Sequence, residues 1–320
     1  MTRQHKIHIL TYHAAGFFSN FLAVLAKLRE CEKAEATPVV FWGKYCYDNK
    51  SCQNPYWEEK YGKNVWEYYF EPVSNYRLND IENNLHADNM EFIETPKLFT
   101  RKSCESIRKT AHFYIKKYIK IRLHIMEKVE KYYDCHMKNH HVLGVHMRGT
   151  DRCMDEFVQQ CSPLPSAYIK QIDKYLKIHS KAIIFVATDS NVLLNAIRER
   201  YPDRVIYYNS IRSETNIDSV HWTTVGSPYQ KGEDVLIECM LLSKCDFLIR
   251  SISNVSTASL YFNPELKQIN IAQLYYNNQM ESFIDQVYLD WADKILGVRG
   301  VILWNIRRMV NELKKIINKK

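Results

Sequence analysis

The stretch after residue 140 alternates two kinds of segment, and that alternation most constrains the fold. Residues 141–146 (HVLGVH) are a strand-like apolar run. Residues 182–188 (AIIFVAT) are another, and their nearly unbroken apolar character suits a strand covered on both faces, as in a parallel sheet. Shorter strand-like runs fall at 205–208, 246–250 and 268–271. Between them, helical spacing marks 165–178 (through Tyr168, Ile172, Tyr175 and Leu176), 192–201, 234–243 and 255–262. Strands and helices alternating at these intervals predict an α/β domain with a doubly wound parallel sheet.

The start of the chain follows the same pattern. Residues 6–12 (KIHILTY) are strand-like, and residues 13–16 (HAAG) break the run. Phe18, Leu22, Leu25 and Leu28 then recur near helical spacing across 17–28, with Ser19 or Asn20 as the candidate cap. Residues 38–42 (PVVFW) read as a second strand. Residues 43–100 hold Asn, Asp, Pro and many aromatics, among them Tyr56, Trp57, Trp66, Tyr68, Tyr69 and Phe70, without clear periodicity. Loops and short elements are expected there. Across 103–138 a stripe through Ile107, Ala111, Tyr114 or Ile115, Tyr118, Ile121 or Arg122, Ile125 and Val129 predicts one long helical region linking two halves.

Composition narrows the class. With 320 residues and 46% hydrophobic content, the chain can bury the core of two ordinary domains. The formal net charge is +8, yet residues 291–320 carry eight Lys and Arg against only Asp293 and Glu312. A nucleic-acid-binding face spreads its basic residues over the folded body, so no nucleic-acid partner is expected. Nine cysteines, an odd number without a CxxC pair, read as reduced thiols in a cytoplasmic protein. The first eight residues run straight into a strand, so no signal peptide is expected. No apolar stretch approaches the ~20 residues of a membrane span.

Ligands in open α/β sheets bind beyond the carboxyl ends of the strands. Three polar clusters fall at such ends: residues 146–151 (HMRGTD), Asp189-Ser190, and residues 251–254 (SISN). Arg148 offers an always-charged fork that suits a diphosphate; the plainer alternative is an ion pair with Asp151. The cluster at 251–254 precedes a helix whose exposed N–H groups would hold phosphate oxygens; the alternative is ordinary capping by Ser253 or Asn254. Glu238, on a nearby helix, has the carboxylate that pairs with the N1–H and N2–H groups of guanine, or is simply a helix carboxylate. Asp151, Asp155 and Glu156 are candidate general bases. No metal site stands out: there is no DxD, and His136, His140 and His141 near Cys135 fit no zinc spacing. The absence of GxGxxG and GxxxxGK[ST] disfavours dinucleotide oxidoreductases and P-loop NTPases.

At these residues the sequence resembles a known superfamily. Residues 142–152 (VLGVHMRGTDR) resemble the HxRRxD peptide of the α1,6- and α1,2-fucosyltransferases and protein O-fucosyltransferases, and are most like the α1,6 and nodulation group. Residues 185–190 (FVATDS) resemble that superfamily's strand ending in ATDD, and residues 235–254 its helix-strand-Ser segment. The likeness covers about residues 120–262. It implies a GT-B-like fold of two Rossmann-like domains, here an acceptor-side α/β domain over 1–138 and a nucleotide-sugar-binding domain over 139–280; the charge and spacing of the last residues add a basic helical tail over 281–320. It implies metal-independent, inverting transfer from GDP-fucose to a glycan or glycolipid, with no cofactor.

Carried over residue by residue, the resemblance puts Arg148 at the β-phosphate and His146 at the donor base. Glu238 falls where an Asp reads guanine, Ser253 and Asn254 on the Ser pair near the diphosphate, and Asp189 on the first acid of ATDD. Glu156 falls on the proposed catalytic glutamate, and Arg152 on a neighbouring lysine. Asp151 completes the acidic group. Gly149 stands where the motif has its second arginine, Ser190 replaces the second Asp, and Asn254 replaces a Ser. Another donor, such as GDP-mannose, and a non-catalytic scaffold stay open as alternatives.

In the tail, Ile302, Ile306, Met309, Leu313 and Ile316 form a stripe flanked by Arg307, Arg308, Lys314 and Lys315. A basic amphipathic helix of this kind suits an anionic membrane surface, which would put the enzyme peripherally on the inner membrane; the alternative is that the stripe packs on the body.

Overall fold

The computed structural model describes residues 6–46, 51–77, 90–93, 103–149, 165–214 and 219–272. Two parallel sheets organise them. The first takes β1 (Ile7–Thr11), β2 (Thr37–Phe41) and β3 (Met90–Ile93) in the order β2-β1-β3, with α1 (Phe17–Lys33) as the crossover between β1 and β2. The second takes β4 (Val142–Met147), β5 (Ile183–Thr188), β6 (Val205–Ile206), β7 (Phe247–Arg250) and β8 (Lys267–Asn270) in the order β6-β5-β4-β7-β8. Its crossovers include α5 (Pro165–Ile178), α6 (Asn191–Arg200), α7 (Pro228–Ser243) and α8 (Asn254–Phe262). Every pairing in both sheets is parallel. The chain winds outward from β4 through β5 and β6, then returns to build the other side through β7 and β8. The direction reverses between β4 and β7, the crevice where such sheets bind ligands.

The long helix expected over 103–138 is two helices, α3 (Glu105–Tyr118) and α4 (Leu123–His136). The break is made by sheet-like pairing. Ile121 bridges Phe70, Glu71 N–H donates to Lys120 O, and Arg122 N–H donates to Tyr69 O, just beyond α2 (Trp66–Tyr69). β-Branched Ile119 and Ile121 tolerate this extended step, and an apolar stripe alone cannot reveal it. α7 begins six residues before the expected start at 234. Ser227 caps it by accepting from Gln230 N–H, and Pro228 occupies its first turn.

The aromatic segment without a period turns out to be core. Tyr69 packs edge-on against Phe17 at 5.1 Å, Trp66 against Trp42 at 5.1 Å, and Phe70 stacks on Phe21 at 5.5 Å. Each such pair adds about 0.5–1.5 kcal/mol beyond its buried area. Phe21 also stacks on Phe262, so this core runs without a break from α1 to the end of α8. Among the described residues of this region, β3 is a strand that the sequence pattern did not announce.

Among the described residues no helix is long and apolar enough to cross a membrane. Among the described residues, the seven cysteines from Cys31 to Cys245 are free thiols. A second unit begins at Gln273; the basic stripe through Ile302 and Ile316 belongs to it and lies outside the described residues.

Candidate active site

A cleft of about 460 Å³ opens where the carboxyl ends of β4, β5 and β7 meet the β1–α1 loop. Arg148 follows the last residue of β4, and Asp189 the last residue of β5. Arg148 Nε lies 3.2 Å from Asp189 Oδ2, and Gly149 N–H donates to Asp189 Oδ1 at 2.7 Å. One carboxylate thus fixes two consecutive residues across adjacent strands. A Cβ on Gly149 would fall 2.6 Å from Ser190 Cβ and 2.8 Å from Leu193 Cδ1, so the site admits no side chain without displacement. Ser190 is buried and caps α6, accepting from Leu193 N–H at 3.0 Å.

Two helices aim their amino ends at the cleft. Ser253, the N-cap of α8, makes no side-chain capping bond. Ser253, Asn254 and Val255 line the cleft, and the buried Asn254 Oδ1 has no hydrogen-bond partner. The N–H groups of the first turn are therefore open to an anion. The capping alternative is thus not realised by Ser253, and within the helix Thr257 Oγ1 donates to Ser253 O at 2.7 Å. From the other sheet, α1 starts at Gly16, again without a side-chain cap. Neither Ser19 nor Asn20 caps it. Instead Asn20 reaches back to clamp the β1–α1 loop, donating to His13 O and Ala15 O and accepting from His13 N–H. Tyr56 OH accepts from Phe17 N–H at 3.0 Å. Burial pushes the Tyr56 hydroxyl well above its ordinary pKa, with the Arg148 charge acting in the opposite direction.

One stripe of α7, carrying Lys231, Asp234, Val235 and Glu238, forms another wall. Glu238 Oε1 accepts from Ser210 Oγ at 2.5 Å and from Arg212 at 3.0 Å. Arg212 is itself buried and held by the carbonyls of Tyr208 and Ser210. Both bonds land on Oε1, so Oε2 is left for a ligand among the described residues. Burial pushes the Glu238 carboxyl up to about 7 despite the Arg212 charge. Burial also raises Asp234 to about 6, against the Ile211 N–H that it accepts at 2.9 Å. The last wall is a 3-10 turn over Val220–Trp222, which brings His221 and the 48% exposed Trp222 to the rim. His221 stacks on Tyr56 at 6.3 Å.

Of the residues singled out from sequence, Arg148, Asp189, Glu238, Ser253 and Asn254 line this cleft together. His146 does not. It lies within β4, only 5% exposed, whereas Arg148 is the first side chain past the sheet pairing. Asp151, Arg152, Asp155 and Glu156 lie outside the described residues. Tyr56, Ser210, His221, Trp222, Lys231 and Asp234 also line the site and were missed. The signals that were available are the Ser227-Pro228 helix start, which extends the α7 stripe back to Lys231, and the aromatic pair His221-Trp222. Among the described residues no group of three or more His, Cys, Asp or Glu is arranged to hold a metal ion.

Two parallel α/β sheets facing each other across a cleft give this chain the fold of the GT-B-like fucosyltransferases. The profile of the family described as Nodulation protein Z (NodZ) matches residues 103–273, more than half of the chain, and the chain belongs to that family. Solved structures agree in fold. A NodZ α-1,6-fucosyltransferase co-crystallized with GDP superposes with a TM-score of 0.56 at 17% identity, covering 83% of this chain and 95% of that one. NodZ α-1,6-fucosyltransferase soaked with GDP-fucose gives 0.52 at 15%, covering 82% and 94%. POFUT1 in complex with GDP gives 0.51 at 12%, covering 83% and 98%. No curated protein matches the chain by sequence.

Proposed function

We propose that the chain is a glycosyltransferase that moves fucose from GDP-fucose to a glycan or glycolipid hydroxyl, with inversion and without a metal. The observation that carries this reading is Arg148 beside the uncapped start of α8: a fixed cation and open backbone N–H groups on one cleft suit a diphosphate. Family membership and a fold shared with fucosyltransferases crystallised with GDP or GDP-fucose support the donor.

In the proposed reaction the acceptor oxygen attacks the anomeric carbon opposite the diphosphate. The bond from that carbon to the phosphate oxygen breaks, and its electron pair stays on the departing GDP. Arg148 and the α8 N–H groups meet the charge that develops there, an effect worth several kcal/mol in the transition state. The acceptor proton goes to a carboxylate. Glu156 has that role by resemblance, with Asp151 and Arg152 beside it in sequence. Glu238 offers its remaining oxygen, Oε2, as an acceptor for the N–H edge of guanine. We further propose the division at 138/139 and 280/281, a cytoplasmic location, and contact between the basic tail and an anionic membrane.

A donor panel tests the reading. Turnover of GDP-fucose, with little of GDP-mannose or UDP-sugars, is the expected result. Turnover of GDP-mannose alone would replace the sugar, and binding of no nucleotide at micromolar levels would favour the scaffold.

A further inference from the structure

Lys231 is 6% exposed, lines the cleft, and has no carboxylate in ion-pair contact among the described residues. Its ammonium donates to Thr223 O, a neutral acceptor. Burial alone pushes it below its ordinary pKa, with no charged neighbour contributing. A buried ammonium without a counter-charge is costly, and it persists where an anion is to be bound.

Position gives the anion's identity. Lys231 and Glu238 are seven residues apart on one stripe of α7, about 10 Å along the axis. That is roughly the reach of a nucleoside diphosphate from base edge to terminal phosphate. Among the described residues the end of β4 supplies one guanidinium, that of Arg148, and Ser190 and Leu193 close the space beside Gly149. Arg148, moreover, already shares its charge with Asp189. A donor carrying two phosphate charges needs a further cation, and Lys231 is the one α7 brings to the cleft.

We propose that Lys231 is a second cationic contact to the diphosphate of the nucleotide-sugar donor, acting chiefly on the terminal phosphate. This rests on the donor reading above. The competing role is a strut: Lys231 holds the turn that carries His221 and Trp222 through the Thr223 carbonyl.

Calorimetric titration of GDP and GMP into the wild type, K231M, K231R and R148A separates these roles. The expected result is a tenfold or greater rise in the GDP Kd for K231M, a change under threefold for GMP, and recovery to within threefold of wild-type GDP affinity in K231R. Equal weakening of GDP and GMP in K231M overturns the contact in favour of the strut. Unchanged GDP affinity in K231M, with R148A weakened, overturns it while leaving the donor reading intact. A wild type that binds no GDP defeats both.

Discussion

Arg148 and Asp189 stand one strand apart and are held as a pair, Nε to Oδ2 at 3.2 Å, while the other oxygen of Asp189 takes the Gly149 N–H at 2.7 Å. Asp189 therefore orients the cation at the strand end. Asp189→Asn keeps an acceptor for Gly149 but removes the charge that aligns the guanidinium. We expect turnover to fall on the order of tenfold to a hundredfold, as small misplacements of a reacting group do, while the melting curve stays close to wild type. Turnover within twofold of wild type would remove Asp189 from this role.

Gly149→Ala puts a methyl group 2.6 Å from Ser190 Cβ. Overpacking of that kind costs about 1–3 kcal/mol. Chemical denaturation should show the loss, and an unchanged midpoint would mean that α6 yields more easily than its capped start suggests.

Asn20 is 1% exposed and carries the hydrogen bonds that shape the β1–α1 loop. Asn20→Ala removes the acceptor of His13 N–H, while the His13 and Ala15 carbonyls keep Ala15 N–H and Tyr12 OH as donors, so the cost is about 1 kcal/mol or somewhat more. Amide exchange over residues 13–16 should accelerate along with the loss of stability. Protection equal to wild type would show that the loop does not depend on this clamp.

The acids of α7 give stability a pH dependence. Glu238 titrates near 7 in the fold against an ordinary 4.5, and Asp234 near 6 against 3.8; in both, burial favours the protonated form. The contribution is therefore fully present at acid pH and is lost as pH rises through about 6 to 7, an effect on the order of 3 kcal/mol for each group. Wild type should lose stability between about pH 4.5 and 7 from these groups, and Glu238→Gln should flatten the upper part of that decline. A variant whose pH profile parallels wild type would assign the dependence elsewhere.

Much of the fold was legible because its signals are local. The apolar run that became β5 and the stripe that became α5 are written in consecutive residues. The misses have tertiary causes. Phe70 pairs with Ile121 across fifty residues, and that bridge splits one expected helix into α3 and α4. The aromatics from Tyr56 to Phe70 show no period because they fill a core from a loop, from α2, which is a single turn, and from the bridge at Phe70. In the site, strand ends announced Arg148, Asp189 and Ser253. Lys231 became visible only once α7 was seen to start at Pro228, and Trp222 only once its turn was folded over the cleft. His146, one residue before the end of β4, lies inside the sheet, so the motif's spacing alone does not say which of its residues reach the cleft.

Glu156→Gln separates chemistry from donor binding. If Glu156 takes the acceptor proton, this variant should bind GDP as wild type does and turn over at least a hundredfold more slowly, within the range of lost general-base catalysis. Unchanged turnover would remove Glu156 from the mechanism.

The central claim is that the cleft between α1 and α8 binds a nucleoside diphosphate through Arg148. Calorimetric titration of GDP into the wild type and Arg148→Ala tests it most directly. Micromolar binding by the wild type, weakened on the order of a hundredfold in a variant that stays folded, is the expected result. Equal affinity in the two proteins, or no binding by the wild type, would contradict it.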